Sequence, residues 1–180
     1  SWQEIESSVG DSSVNPDELH VRKWIFFFFI MGNFWLAFDN GIICSHEQFV
    51  LTPEESYKDI ISLFKETGKV WFTDDEKLVQ KLREVVFVGG YLNKDVVGKS
   101  AREIGALAGI DVPASTRIIL VPSKGSGTVD ILAKEKLCPV VAILPYKTFQ
   151  DAVNHAKANL LVEGAGHSAA VHSNNEDNIR

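Results

Sequence analysis

Cysteine is scarce in this chain: of 180 residues only Cys44 and Cys138 carry a thiol. Two distant thiols make no disulfide framework, so a packed core has to hold the fold, and a reducing, cytoplasmic setting is the expected one. Positive charge is also short. The 18 Lys and Arg against 24 Asp and Glu leave a formal net charge of −6 with no basic cluster, which argues against a nucleic-acid surface. No G-x-G-x-x-G follows a strand, and Gly125-Ser126-Gly127 lacks the Lys-Ser/Thr ending of a phosphate-binding loop, so it reads as a surface turn. Internal repeats and heptads are absent. The single long apolar run, Trp24 to Phe38, has fifteen residues and is interrupted by Gly32-Asn33; a helix needs about 20 to cross a bilayer. Arg22-Lys23 in front of that run suggests a signal peptide, but the acidic tail before it and the lack of a small-residue cleavage site argue against one.

What is present is ordinary for a globular domain: 45% hydrophobic and 23% charged residues over a length sufficient for a core. Residues 1–18 are polar and read as a loop or disordered tail. Downstream, strands and helices alternate. A strand is predicted over 48–52, then a helix from Pro53-Glu54-Glu55 to Thr67, with Tyr57, Ile60, Ile61 and Phe64 on one face and Gly68 as its stop. A strand over 69–72 leads to a helix capped by Thr73 and running to Val86, with Leu78, Leu82, Val85 and Val86 as its stripe. Ser100 and Glu103 form a capping box for a helix ending at Gly109. Residues 117–121 and 140–144 are β-branched runs suited to a sheet centre. Thr148 caps a helix over 149–162 with Ala152, Val153, Ala156, Leu160 and Leu161 inward, and 168–172 reads as a last strand. This alternation predicts an α/β fold, a layered sheet with flanking helices.

Cys44 sits in Phe38-Asp39-Asn40-Gly41-Ile42-Ile43-Cys44-Ser45-His46-Glu47-Gln48, a polar turn entering an apolar strand. Asn40-Gly41 suits positive φ, and a sulfur at such a turn can lie near backbone N–H groups that stabilise a thiolate or oxyanion. The competing reading is a small buried hydrophobe.

The stretch FDNGIICSHEQ resembles the cysteine loop of the aldehyde dehydrogenase superfamily, specifically its CoA-acylating branch, which includes the aldehyde half of the bifunctional aldehyde-alcohol dehydrogenases. The likeness continues through Leu92-Asn93-Lys94-Asp95-Val96-Val97-Gly98-Lys99-Ser100-Ala101, Ala108-Gly109-Ile110-Asp111-Val112-Pro113, Glu135-Lys136-Leu137-Cys138-Pro139-Val140 and Gly164-Ala165-Gly166-His167-Ser168. It implies that residues 38–180 are part of an aldehyde dehydrogenase catalytic domain and that residues 1–37 are a divergent or disordered segment. The nucleotide domain, which in the family largely precedes the cysteine, is expected to be missing.

In that family Cys44 would attack an aldehyde, pass through a thiohemiacetal to a thioester, and hand the acyl group to coenzyme A, with NAD as hydride acceptor and no metal. The partners implied are a small aldehyde, with acetaldehyde and acetyl-CoA the expected pair, and CoA as substrate; intact relatives oligomerise. His167 aligns with the histidine of the acylating branch's G-x-G-H-[ST] stretch and could serve as a base toward the CoA thiol, or merely bond its glycine-rich turn. Glu135 stands where the superfamily binds the nicotinamide ribose; the other reading is a solvated acid between Lys134 and Lys136. Leu137 replaces the phenylalanine of hydrolytic relatives, a departure common to the acylating branch. Cys138 is expected to be packed. His155 and His172 carry no comparable case, and His46, two residues from the thiol, is a weaker alternative that needs the turn to straighten. A non-acylating dehydrogenase, or an inactive chain acting only as an interaction or oligomerisation module, are the alternatives, and the isolated chain is expected to turn over little.

Overall fold

The computed structural model describes residues 38–162 and, beyond them, 164, 166, 167, 169–171 and 173. The apolar run up to Ala37 and the tail before it therefore lie outside the described residues. Four parallel strands form the main sheet: β1 (Phe49–Pro53), β2 (Val70–Phe72), β5 (Ile118–Pro122) and β6 (Val140–Tyr146), in the order β1-β6-β5-β2. The register pairs Phe49 with Ala142, Ile119 with Val140, and Val70 with Ile118. Between β2 and β5 lies a two-stranded hairpin, β3 (Phe87–Val88) and β4 (Tyr91–Leu92), whose turn places Gly89 and Gly90 at φ 60° and 84°. Glycine takes two such angles in succession at no steric cost.

The helices are α1 (Tyr57–Glu66), α2 (Glu76–Val86), α3 (Ala101–Leu107) and α4 (Phe149–Val162). Strand alternation divides the core into two layers. Ile118, Leu120, Val141 and Ile143 pack against Ile60, Ile61 and Phe64 of α1. Ile119, Val121, Val140 and Ala142 face the other way, against Val79, Leu82 and Val86 of α2 and Ile104 of α3. This is the layered α/β sheet with flanking helices that the sequence predicts.

Several expectations shift. The first helix begins with a 3-10 turn over Glu54–Ser56 before α1, because Pro53 itself belongs to β1. Asp75, not Thr73, caps α2, accepting from the Lys77 and Leu78 amides, while the Thr73 hydroxyl, two residues earlier, accepts from the Asp75 amide. The capping box at α3 is as expected: the Ser100 hydroxyl accepts from the Glu103 amide at 3.3 Å, and the Glu103 carboxylate accepts from the Ser100 amide at 2.9 Å. On α4 only Ala152 is buried, and Leu161, expected inward, is 73% exposed. The helix instead docks its polar side: Ser126 Oγ lies 2.7 Å from His155 Nδ1, and the Gly127 amide donates to Asn159 Oδ1 at 2.7 Å. The 125–127 segment is thus a packed junction with α4, not the surface turn expected. Residues 169–171 form no strand, and Ser168 and His172 lie outside the described residues.

Candidate functional site

Three consecutive left-handed residues precede the candidate nucleophile: Asp39, Asn40 and Gly41 have φ of 47°, 56° and 73°. Left-handed runs are unfavourable for L-residues, so tertiary contacts have to hold this one. The Asn40 side-chain amide donates to the Gly98 carbonyl at 2.9 Å. Gly41 is buried, and a Cβ there would lie 3.0 Å from His46 Nε2 and 3.1 Å from the Cys138 carbonyl oxygen. The turn can therefore sit this close to the 135–138 segment only because position 41 has no side chain. Asn40-Gly41 takes the positive φ expected of it, and Cys44 beyond it is exposed and free.

His46 closes the turn from beneath. Its ring is buried, its Nδ1 lies 3.3 Å from the Ile43 carbonyl, and its amide donates to the same oxygen at 3.1 Å. Burial pushes its pKa down to about 4, the Ile43 carbonyl works the other way, and the nearby Lys136 charge lowers it further. At neutral pH the ring is uncharged and donates from Nδ1. Among the described residues its buried Nε2 has no hydrogen-bond partner, and it faces Gly41.

The 134–138 segment follows a 3-10 turn over Ile131–Ala133. Cys138 is fully buried, and burial raises its thiol pKa to about 11 despite Lys136 and the Val140 amide; the expectation that it is packed and not reactive fits this setting. Lys136 is fully buried too, its ammonium donating to the carbonyls of Leu132 at 2.8 Å and Lys134 at 3.0 Å. Glu135 between them keeps a partly exposed side chain. His167 Nε2 lies 3.7 Å from Glu135 Oε1, with 41% of the histidine side chain exposed. Two of the three sequence-predicted site residues are thus brought together, and the turn of the third packs on the same segment through Gly41 and Cys138. Sequence reasoning missed Lys136 and Gln48, whose side-chain Oε1 accepts from the Lys136 amide at 2.5 Å: a lysine beside an acid reads as a solvated ion, and only the fold shows it turned inward and its amide bonded to Gln48.

The protein's similarity to known proteins bears on this arrangement. No family model matches the chain. It is 48% identical to the succinate-semialdehyde dehydrogenase (acetylating) of Clostridium kluyveri over 143 residues, 79% of this chain and 31% of that protein. It is 36% identical to the aldehyde-alcohol dehydrogenase of Clostridium acetobutylicum over 76% of this chain and 16% of that protein. Among solved structures, an acetylating aldehyde dehydrogenase from Geobacillus thermoglucosidasius superposes with a TM-score of 0.76 at 28% identity, covering 89% of this chain and 33% of that one. The chain spans about a third or less of the length of these relatives.

Proposed function

We propose that the chain, 48% identical over 79% of its length to an acetylating succinate-semialdehyde dehydrogenase, belongs to the CoA-acylating branch of the aldehyde dehydrogenase superfamily and supplies the acyl-carrying thiol of an enzyme converting an aldehyde, CoA and NAD to an acyl-CoA and NADH. The observation that carries this reading is an exposed thiol on a left-handed turn packed against the segment that bears Glu135, with Glu135 beside His167. In the forward direction the Cys44 thiolate adds to the aldehyde carbonyl, giving a thiohemiacetal. Loss of hydride from that carbon leaves a thioester on Cys44. The sulfur of CoA then attacks the thioester, the acyl group moves to CoA, and Cys44 returns as thiolate. His167 accepts the CoA thiol proton as general base, and the Glu135 carboxylate, 3.7 Å from its ring, favours the imidazolium that results. Acetaldehyde and acetyl-CoA are the pair we assign.

The residues present fit a nicotinamide coenzyme at one point. Glu135 offers a partly exposed carboxylate on a backbone held on both sides, able to accept from both hydroxyls of a ribose. When bound, that coenzyme supplies the hydride acceptor. For this chain the work is to position the thiol, accept the CoA proton and hold the ribose edge.

NADH formation from acetaldehyde, CoA and NAD tests the reading, measured in an enzyme in which this segment is joined to a nucleotide-binding domain. Cys44→Ser should lower turnover on the order of 10³-fold or more, and His167→Ala about 10²-fold with a raised KM for CoA. Mass spectrometry of the wild type quenched during turnover should find the acyl group on the Cys44 peptide. Undiminished turnover in Cys44→Ser would overturn the proposal.

A further inference from the structure

The hydrogen bonds on either side of Glu135 come from two places, and one of them is the segment that carries the thiol. Leaving the turn, the chain reaches Gln48, whose main-chain carbonyl accepts from the Ala142 amide at 3.1 Å and so anchors the segment to β6. Its side-chain Oε1 accepts from the Lys136 amide at 2.5 Å. On the other side of Glu135 the Lys134 carbonyl accepts from the buried Lys136 ammonium at 3.0 Å. Both peptide groups flanking the carboxylate are therefore fixed. One residue further, the Leu137 carbonyl accepts from the Gly98 amide at 3.0 Å, and the Gly98 carbonyl accepts from Asn40. Both arms of the turn thus reach the Glu135 segment, the second directly through Gln48.

We propose that Gln48 is a positioning residue of the acyl-transfer site, its side-chain carbonyl tying the Cys44 segment to the peptide after Glu135 so that thiol and carboxylate keep one spacing. The proposal rests on the reading of Cys44 and Glu135 above. Lys136 turns its side chain under its own backbone, and Glu135, adjacent to it, is left with a partly exposed carboxylate. Without the Gln48 carbonyl the Lys136 amide loses its cross-link to the thiol segment, and Glu135 gains freedom that a bound ribose would have to remove.

Two variants separate the roles: Gln48→Met keeps the length and removes the acceptor, and Gln48→Glu keeps the acceptor. Amide exchange at Lys136, followed by NMR, should quicken about three- to tenfold in Gln48→Met, the span of one lost hydrogen bond, and return toward wild type in Gln48→Glu. In the enzyme, Gln48→Met should raise the KM for NAD by a similar factor, with kcat changed less, and Gln48→Glu should restore it. Unchanged exchange at Lys136 in Gln48→Met overturns the tie. Faster exchange with an unchanged KM, in an enzyme whose Glu135→Gln variant does show a raised KM, overturns the positioning role and leaves the reading of Glu135 standing. A Glu135→Gln variant with unaltered KM overturns that reading, and the positioning role with it.

Discussion

The two thiols of this chain show how far one residue type is governed by its surroundings. Cys44 is exposed at the end of a left-handed turn, whereas Cys138 is sealed under β6 with its pKa raised to about 11 by burial. Alkylation proceeds through thiolate, so the buried sulfur is doubly protected, by access and by protonation. Iodoacetamide at pH 7.5 should label Cys44 and leave Cys138 unmodified until denaturant is added; peptide mapping after timed quenching reads both, and equal native labelling would contradict the burial argument. At this scale the sequence is a good guide where chemistry is written in the backbone. Asn40-Gly41 announces its positive φ, and Cys138 its apolar setting. It is a poor guide to Lys136 and Gln48, whose roles depend on a contact 88 positions apart in the chain.

Elements are held to one another by fewer groups than the core suggests. Asp130 accepts from Arg83 Nε at 3.0 Å and Nη2 at 2.6 Å, from the Lys124 amide at 2.8 Å and from the Leu132 amide at 3.0 Å. One carboxylate thereby joins α2 to the connection between β5 and β6. Burial works to raise its pKa, but the guanidinium and the two amides overcome this and hold it below the usual aspartate value. Asp130→Ala should cost about 3–5 kcal/mol by stranding Arg83 in the interior, and Arg83→Met with Asp130→Leu should recover much of it; urea melts of the wild type and the two variants measure the difference. A loss under about 1 kcal/mol in the single variant would mean that water replaces the carboxylate. α1 and α2 were legible from periodicity because they bury apolar stripes, and α3 from its capping box. Docking of α4 was not, because the face it uses bonds through His155 and Asn159 to the 126–127 turn. Polar docking leaves no hydrophobic period to read. The cap of α2 slipped from Thr73 to Asp75 for a local reason: both side chains accept amides, and the aspartate stands nearer the first helical residue.

For the whole molecule, the α/β class follows from alternation, yet the order β1-β6-β5-β2 does not, since nothing local in a parallel strand names its neighbour. That order matters to the site: β1 pairs with β6, and the segments entering those two strands carry Cys44 and Glu135. Stability against acid is a property of this junction. His46 lies beneath it with a folded pKa of about 4 against 6.5 for the free side chain. The charges bearing on it include the Lys136 ammonium, which opposes protonation. Between those two values the unfolded chain binds a proton that the folded chain refuses, so stability rises with pH. The contribution is complete above about pH 6.5, falls as the pH drops toward 4, and levels off below, where both states are protonated; over the full window it amounts to about 3 kcal/mol. By pH 5 roughly 2 kcal/mol of it is gone. Replacing the imidazole with a neutral ring-sized group, His46→Phe, costs the Ile43 contact but removes the titration. Urea midpoints taken from pH 7.5 to 4.5 should therefore fall more steeply for the wild type than for His46→Phe, and parallel curves would show that the acid limb arises from carboxylates elsewhere in the fold.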